Sequence, residues 1–136
     1  MTRYAYLNHR YIEFSKAKIH IEDRGFQFSD SVYEVVPFYK NKLIDFNFHI
    51  KRLKYSLKEL SIKFEVNKDK INKIFNKIIK FSKFNNGIIY LQITRGVQSR
   101  DHAYKKNLIP NIIIYAINRK LNLPDKNFKG ETAITF

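Results

Sequence analysis

Two short runs of alternating apolar and polar residues open the chain. Residues 4–7 and 11–14 each predict a strand, and the segment between them begins with Asn8. A turn led by asparagine between two such runs is typical of a β-hairpin. Residues 19–22 predict a further extended fragment. The pattern then breaks at Asp-Arg-Gly, where Gly25 is a candidate for a positive φ.

A second hairpin is predicted next. Residues 32–39 are rich in β-branched and aromatic side chains and predict a strand. Pro37 lies inside this segment and has no N–H to donate, so we expect an edge strand or a bulge there. A tight turn at 40–42 leads into a partner strand at 43–46.

The apolar period then changes to that of helices. Asn47 is a candidate N-cap for a helix at about 48–60, and Asn67 is a candidate N-cap for a second helix. One face of each helix is apolar, formed by Leu53, Leu57 and Leu60 and by Ile71, Ile74, Phe75 and Ile78. The lysines of the second helix occupy its other faces, as on a solvated surface. The Asn-Asn-Gly sequence at 85–87 predicts its end.

The remaining chain predicts strands again. Residues 88–95 form one strand and residues 111–117 another, which is apolar on both faces and therefore central. A loop at 96–110 joins them, and a last strand is predicted at 131–136. Strands, two helices and strands in this order predict an α+β fold, with an antiparallel sheet and two helices on one face.

Composition and net charge bear on whether the partner is a nucleic acid. The chain has 136 residues, enough for one domain, and a net charge of +14. That charge raises the possibility of a nucleic-acid-binding protein. However, Ile, Lys, Asn, Phe and Tyr together account for 72 residues, as AT-rich codons produce, and the 19 lysines are scattered. Nucleic acid is therefore an unlikely partner. Arginines that persist against this bias deserve individual study, namely Arg24, Arg52, Arg95 and Arg100.

Several classes of protein are excluded or disfavoured. The chain has no cysteine, which excludes disulfides, thiolate catalysis and cysteine-based zinc sites. No apolar run approaches the roughly 18 residues of a membrane span, and the first residues lack the apolar segment of a signal peptide. We expect a cytoplasmic protein without a membrane partner. The histidines His9, His20 and His49 show no metal-ligand spacing, so no metal site is predicted.

Three segments carry a family resemblance. They read IEDRGFQFSDSVYEV at 21–35, HIKRL at 49–53, and YLQITRG at 90–96 followed by RDH at 100–102. In order and spacing they resemble the N-terminal domain of the class IV, fold-type IV aminotransferases, which use pyridoxal 5'-phosphate. The resemblance covers essentially the whole chain. The Arg-x-His pair resembles the branch that acts on D-amino acids such as D-alanine, rather than the branched-chain branch.

The resemblance implies a cofactor-binding and a substrate-binding residue. Arg52 would bind the cofactor phosphate, which a planar guanidinium can hold through two hydrogen bonds where lysine cannot. The alternative for Arg52 is a surface cation on a lysine-rich helix. Tyr33 would help to bind the substrate α-carboxylate through its hydroxyl. The alternative for Tyr33 is a strand tyrosine that packs its ring in the core.

Arg100 and His102 complete the implied substrate site. Being two residues apart, both can reach one face of an extended loop and bind a carboxylate. In the resembled family they reach across the interface of a homodimer to the partner's tyrosine. The alternative is a solvated loop pair. Arg24 and Arg95 are interpreted as structural, with Arg24 in a loop held by local ion pairs.

Two departures from the family pattern stand out. Ser29 and Ser31 occupy positions where many relatives have glycine, and the turn survives there if φ is negative. The family's lysine, which binds the cofactor covalently, is absent, because none of the 19 lysines lies in that context. In the family that lysine belongs to the second domain, beside an acidic partner for the pyridine nitrogen.

These observations predict the domain organisation and the function. Residues 1–119 would form the N-terminal domain, residues 120–136 would begin a truncated connection, and the lysine-bearing C-terminal domain would be missing or encoded separately. The complete enzyme would transfer an amino group between a D-amino acid and a 2-oxo acid, and this chain alone would be inactive. The alternatives are a non-catalytic remnant or a module for interaction or dimerisation and, less well supported, a basic nucleic-acid-binding domain.

Overall fold

The computed structural model describes residues 3–121 and 132–135. Its strands are β1 (Tyr4–Leu7), β2 (Arg10–Glu13), β3 (Ser31–Tyr39), β4 (Lys42–Leu43), β5 (Gly87–Thr94) and β6 (Asn111–Asn118). Its helices are α1 (Arg24–Phe28), α2 (Phe46–Glu59) and α3 (Lys68–Ser82), with a 3₁₀ turn at Phe14–Lys16. All strands join one antiparallel sheet, which confirms the predicted α+β class.

The strand order is β2-β1-β6-β5-β3-β4. β6 lies inside the sheet, as its apolar residues on both faces predict. β3 is an edge strand over most of its length, because β4 pairs only with Phe38 and Tyr39. Its register with β5 runs without interruption through Pro37, which lies opposite Ile88. Of the two alternatives for Pro37, the edge strand is therefore correct.

Both hairpins close through two-residue turns. Asn8 and His9 have φ of 44° and 75°, and Lys40 and Asn41 have φ of 48° and 63°. Two consecutive positive φ values match the twist of the flanking strands, so these turns fix the register of each hairpin. The strand predicted at 43–46 is wrong in extent, because the chain leaves β4 after Leu43 and begins α2 at Phe46.

The hydrophobic core lies between the sheet and one layer of helices. α2 packs on β3, and α3 packs on β1 and β6. Side chains that point to this layer alternate along each central strand, and the core includes Val36, Phe38, Leu53, Phe75, Ile78, Ile89, Leu91, Ile93 and Ile114. Burying an aliphatic or aromatic side chain of this size contributes about 1.5–3 kcal/mol relative to leaving it exposed. The helix stripes predicted from the sequence are the faces that are buried, apart from Leu60, which is exposed.

Two helix boundaries differ from the prediction and one agrees with it. Asp45, not Asn47, precedes α2, and it makes no side-chain cap hydrogen bond. Asn67 caps α3 as predicted, since its side chain accepts a hydrogen bond from the Lys70 amide at 2.9 Å. α3 ends at Ser82, and the next residue, Lys83, caps it in the left-handed conformation. The predicted terminator at 85–87 is therefore too late.

Two further predictions need correction. Gly25 lies inside α1 and has no positive φ; what it provides is close packing, because a Cβ there would overlap the side chain of Thr94. The strand predicted at 131–136 is absent from residues 132–135, and its two end residues lie outside the described part of the chain. No helix among the described residues is long and apolar enough to cross a membrane.

The face of the sheet that points away from the helices is also aromatic. Tyr90 lies between Tyr33 and Tyr115, with ring centroids 6.0 and 5.3 Å away. The pKa of Tyr90 is raised mainly by burial, and the neighbouring phenols of Tyr115 and Tyr33 raise it further. The segment before α1 runs along this face and encloses a cleft of about 420 Å³ with Tyr90, Gln92 and Tyr115 on its floor.

Candidate active site

An ion pair joins β3 to α2. The Glu34 carboxylate, 3% exposed, accepts hydrogen bonds from Arg52 Nε (2.8 Å to Oε1) and Nη2 (2.6 Å to Oε2). The ring Nδ1 of His49 lies 2.7 Å from the same Oε2. His49 and Arg52 are three residues apart on α2, so both point to the same side of the helix. Helical spacing on α2 and the inward orientation of Glu34 on β3 thus build one cluster.

The Arg52 guanidinium is fixed on one edge only. Its side chain is 64% exposed although Glu34 is buried. The hydrogen bonds from Glu34, and then its charge, raise the pKa of Arg52 further. Nη1 makes no hydrogen bond with any described residue, so it is available to an anion. A guanidinium oriented in this way can donate hydrogen bonds to an oxyanion through its free edge.

Tyr33 lies beside this cluster on the opposite face of β3. Tyr33 is 64% exposed, and its ring stacks on that of Tyr90 with an interplanar angle of 18°. It does not pack in the core, so its hydroxyl is accessible. Its phenol is close enough to Arg52 to add slightly to the raised pKa of the guanidinium. The two residues thus reach the same edge of the sheet from its two faces.

Arg100 and His102 lie together in the loop between β5 and β6. Both side chains are exposed, and both contact the ring of Phe28. The Arg100 Cζ lies 4.8 Å from the centroid of that ring, and the His102 ring centroid lies 5.4 Å away. Asp101 points elsewhere, since its carboxylate accepts a hydrogen bond from the Ala103 amide. Within the described residues Arg100 has no ion pair, so its charge is available.

Two buried arginines share one carboxylate behind this loop. Asp30 Oδ2 accepts hydrogen bonds from Arg24 Nε at 2.8 Å and from Arg95 Nε at 2.7 Å. Burial alone would raise the pKa of Asp30, but the hydrogen bonds and charges of Arg95 and Arg24 outweigh it and lower the pKa. Both arginines have the structural position that the sequence predicts. The partner of Arg24 is Asp30, however, and not one of the adjacent acids.

Asp23 has a separate structural role. It is fully buried, and its carboxylate accepts hydrogen bonds from the Gly25 amide, the Thr94 hydroxyl and the Asn111 amide group. This carboxylate caps α1 and ties it to the ends of β5 and β6. The turn before β3 is thereby held in place, and β3 begins next to both candidate binding regions.

The sequence did not identify Glu34 and Phe28 as residues of the candidate site. The negative φ required at Ser29 is also not observed. Glu34 occupies a position on the buried face of β3, between Val32 and Val36. A carboxylate among apolar residues at the period of a strand is the one sequence signal that could have revealed a paired acid. Nothing in the sequence singles out Phe28 among the 12 phenylalanines. The turn was expected to survive if φ is negative, but Ser29 has a φ of 55°, and the serine itself adopts the left-handed conformation that glycine favours.

No described lysine is placed for covalent cofactor chemistry. Every lysine within residues 3–121 is exposed, and none lies in an enclosed pocket beside the Glu34 cluster. Among the described residues no cluster of three His, Asp or Glu side chains could hold a metal ion. The described residues therefore place the arginines Arg52 and Arg100 at the surface, and all of their lysines are exposed.

Comparison with known proteins identifies the family. Residues 31–131 match the model of the amino-transferase class IV family. The chain is 35% identical over 131 residues to a D-alanine aminotransferase of Listeria monocytogenes, covering 95% of this chain and 45% of the relative. It is 34% identical to a D-alanine aminotransferase of Bacillus licheniformis over 129 residues, 94% of this chain and 45% of that protein.

Solved structures agree on the fold. A branched-chain amino acid aminotransferase of Escherichia coli superposes with a TM-score of 0.81 at 18% identity, over 91% of this chain and 42% of that one. A 4-amino-4-deoxychorismate lyase of Pseudomonas aeruginosa gives a TM-score of 0.68 at 19% identity, over 85% and 40%. The chain thus belongs to the class IV aminotransferases and has their N-terminal fold. It spans less than half the length of the curated relatives it matches.

Proposed function

We propose that this chain supplies the N-terminal half of the active site of a D-amino-acid transaminase. The complete enzyme would move an amino group between a D-amino acid, D-alanine foremost, and a 2-oxo acid. The observation that carries the proposal is the pair Arg100 and His102, exposed together on Phe28 and without an ion pair among the described residues. The two relatives named above, both D-alanine aminotransferases, support the choice of substrate.

The substrate carboxylate would bind between three side chains. A guanidinium binds a carboxylate through charge-assisted hydrogen bonds, and a histidine adds a second donor when its ring is suitably protonated. Arg100 and His102 would supply these donors, and the Tyr33 hydroxyl would supply a third. We place the loop of one subunit against the Tyr33 of its partner in a homodimer. The exposure of Tyr33, Phe26 and Ile109 leaves apolar surface for that contact.

The residues present fit a pyridoxal phosphate cofactor in part. Arg52 would hold the phosphate with Nη1 while Glu34 keeps the other edge of the guanidinium in place. When bound, pyridoxal phosphate supplies the electron sink that makes the substrate Cα–H bond labile. The covalent lysine would come from a second half, a continuation of the chain or a separate polypeptide. We place the assembled enzyme in the cytoplasm.

The test compares the chain alone with the chain supplied with a lysine-bearing half. The second half of the Listeria monocytogenes relative, fused or co-expressed, is a suitable complement. We expect the isolated chain to retain no pyridoxal phosphate after gel filtration and to form no pyruvate from D-alanine and a 2-oxo acid. The complemented enzyme should form pyruvate from D-alanine and not from L-alanine.

The matched control is the same complement with its cofactor-binding lysine replaced by alanine, which should be inactive. Borohydride reduction followed by peptide mass spectrometry shows where the cofactor is attached. Cofactor fixed to one specific lysine of the isolated chain would overturn the proposal. So would a complemented enzyme that prefers L-amino acids.

A further inference from the structure

A buried arginine connects two segments that are far apart in sequence. Arg24 is only 4% exposed. Its Nη1 donates a hydrogen bond to the carbonyl of Asp101 at 2.6 Å, and its Nη2 donates one to the carbonyl of His102 at 3.1 Å. These carbonyls lie directly after Arg100. Arg24 therefore fixes the backbone that carries the candidate carboxylate-binding pair.

The ring of Phe28 is the second fixed contact of that loop. Arg100 lies over it at 4.8 Å and His102 at 5.4 Å, while the Cζ of Arg24 lies 4.7 Å from the same centroid. Cations above an aromatic face are attracted by its quadrupole. Arg24 and Phe28 are four residues apart, at the two ends of α1, so this short helix presents both groups to one loop.

We infer that Arg24 and Phe28 are positioning residues, which set the separation and direction of the Arg100 and His102 side chains. This inference rests on the proposed function, since it concerns the same carboxylate site. An arginine is required at position 24 because one planar group donates to Asp30 and to two carbonyls at once. Lysine has a single amine and cannot reach all three. A carboxylate held by misplaced donors loses affinity although the donors themselves are intact.

Arg95 offers a matched control. It also donates its Nε to Asp30, and its two other nitrogens donate to the carbonyls of Leu60 and Ser61. Arg24→Lys and Arg95→Lys therefore remove comparable sets of bonds from the same carboxylate. Arg95 also contacts the far end of the loop, since its Cζ lies 3.7 Å from the centroid of the Tyr104 ring. Only Arg24→Lys, however, removes hydrogen bonds to the backbone beside Arg100 and His102. A general loss of stability should affect both variants alike.

The first measurement uses the chain itself. In Arg24→Lys we expect amide hydrogen exchange in residues 100–103 to rise about tenfold, which indicates local opening of the backbone that Arg24 binds. The Phe28 ring shifts the NMR signals of the His102 ring protons. This ring-current shift should become smaller in Arg24→Lys and be absent in Phe28→Leu. Arg95→Lys should leave both observations close to the wild type. Phe28→Leu keeps an apolar side chain and provides a test if Arg24→Lys does not fold.

The second measurement uses the complemented enzyme. We expect Arg24→Lys and Phe28→Leu to raise KM for D-alanine about tenfold while kcat changes less than about twofold. Arg95→Lys should leave KM unchanged. If Arg100→Ala itself leaves KM unchanged, the proposed carboxylate site is wrong, whatever happens to the loop. If Arg100→Ala raises KM but Arg24→Lys does not, or Arg95→Lys raises it equally, the positioning role is overturned.

Discussion

The Glu34 carboxylate accepts two hydrogen bonds from one edge of the Arg52 guanidinium, from Nε at 2.8 Å and from Nη2 at 2.6 Å. The carboxylate is buried in the sheet, and the arginine lies on the surface of α2. The buried carboxylate therefore holds the exposed guanidinium in a defined orientation. A two-point contact of this kind fixes direction as well as distance. It leaves Nη1 as the donor that points outward.

Arg52→Lys should weaken binding of pyridoxal phosphate to the complemented enzyme by about 1–3 kcal/mol, the range for lost hydrogen bonds to a charged group. Lysine keeps the charge but cannot bind Glu34 at two points and a phosphate as well. Titration with the cofactor, followed by absorbance, measures the dissociation constant. Lys54→Arg, an exposed change on the same helix, is the control and should have no effect. Equal affinity in wild type and Arg52→Lys would make Arg52 an ordinary surface cation.

Asp30→Asn should lower the free energy of unfolding at pH 7 by about 3 kcal/mol, because it leaves two buried guanidinium groups without their counter-charge. The folded pKa of Asp30 lies below its ordinary value. Its stabilising effect is therefore complete above the unfolded pKa of about 3.9 and is lost as pH falls through the lower folded pKa.

Urea denaturation of wild type and Asp30→Asn between pH 7 and pH 2.5 measures this difference. The two unfolding curves should converge as the pH falls below about 4. Asp69→Asn, which changes an exposed carboxylate on α3, should cost only a few tenths of a kcal/mol, as surface charges do. A gap between wild type and Asp30→Asn that stays constant down to pH 2.5 would contradict the role given to the charge.

Ser29→Gly should stabilise the chain by about 0.5–1 kcal/mol. The serine has a φ of 55°, a conformation that costs a non-glycine residue about 1–2 kcal/mol, and glycine gives back part of that gain through its flexible unfolded state. The urea midpoint is the measurement. Ser31→Gly is the opposite control, since Ser31 lies in β3 and accepts a hydrogen bond from Gln92. Destabilisation by both glycines would show that Ser29 is not strained.

Arg100→Ala should lower kcat/KM of the complemented enzyme for D-alanine by at least about tenfold, since one charge-assisted hydrogen bond exceeds the ~1.4 kcal/mol of a tenfold change. His102→Ala should cost less, because an imidazole ring offers fewer donors to a carboxylate than a planar guanidinium does. Steady-state kinetics with D-alanine separate the two. Arg119→Ala, an exposed arginine just after β6, is the control. A larger loss from His102→Ala than from Arg100→Ala would reverse the roles assigned here.

Local pattern was enough for most of the architecture. The apolar stripe Ile71, Ile74, Phe75 and Ile78 placed α3 and its buried face, because side chains at that spacing share one side of a helix. The interior position of β6 followed from apolar residues on both of its faces. The predicted boundaries were wrong where one residue turns the chain with a positive φ, at Asp45 and Lys83. Aspartate tolerates that conformation, whereas lysine gives no sequence signal for it.

The candidate site was only partly visible in the sequence. The family motifs pointed to Arg52, Arg100 and His102, but they did not indicate which side chains of the same chain contact these residues. Glu34 is adjacent to Tyr33 in the chain, yet the two side chains leave β3 on opposite faces because strand residues alternate. That alternation separates a buried anchor from an exposed hydroxyl, and it is not apparent when the motif is read as a string.

Periodicity and short motifs were sufficient for α2, α3, most strands, the fold class and the family, because they depend on residues that are neighbours in the chain. Which charged side chains contact one another became visible in the packed fold. Arg24 binds carbonyls 77 and 78 residues away, and Arg52 binds a carboxylate 18 residues away on another element. Such contacts depend on how helices and loops pack on the sheet, since sequence spacing fixes direction only within one helix or strand.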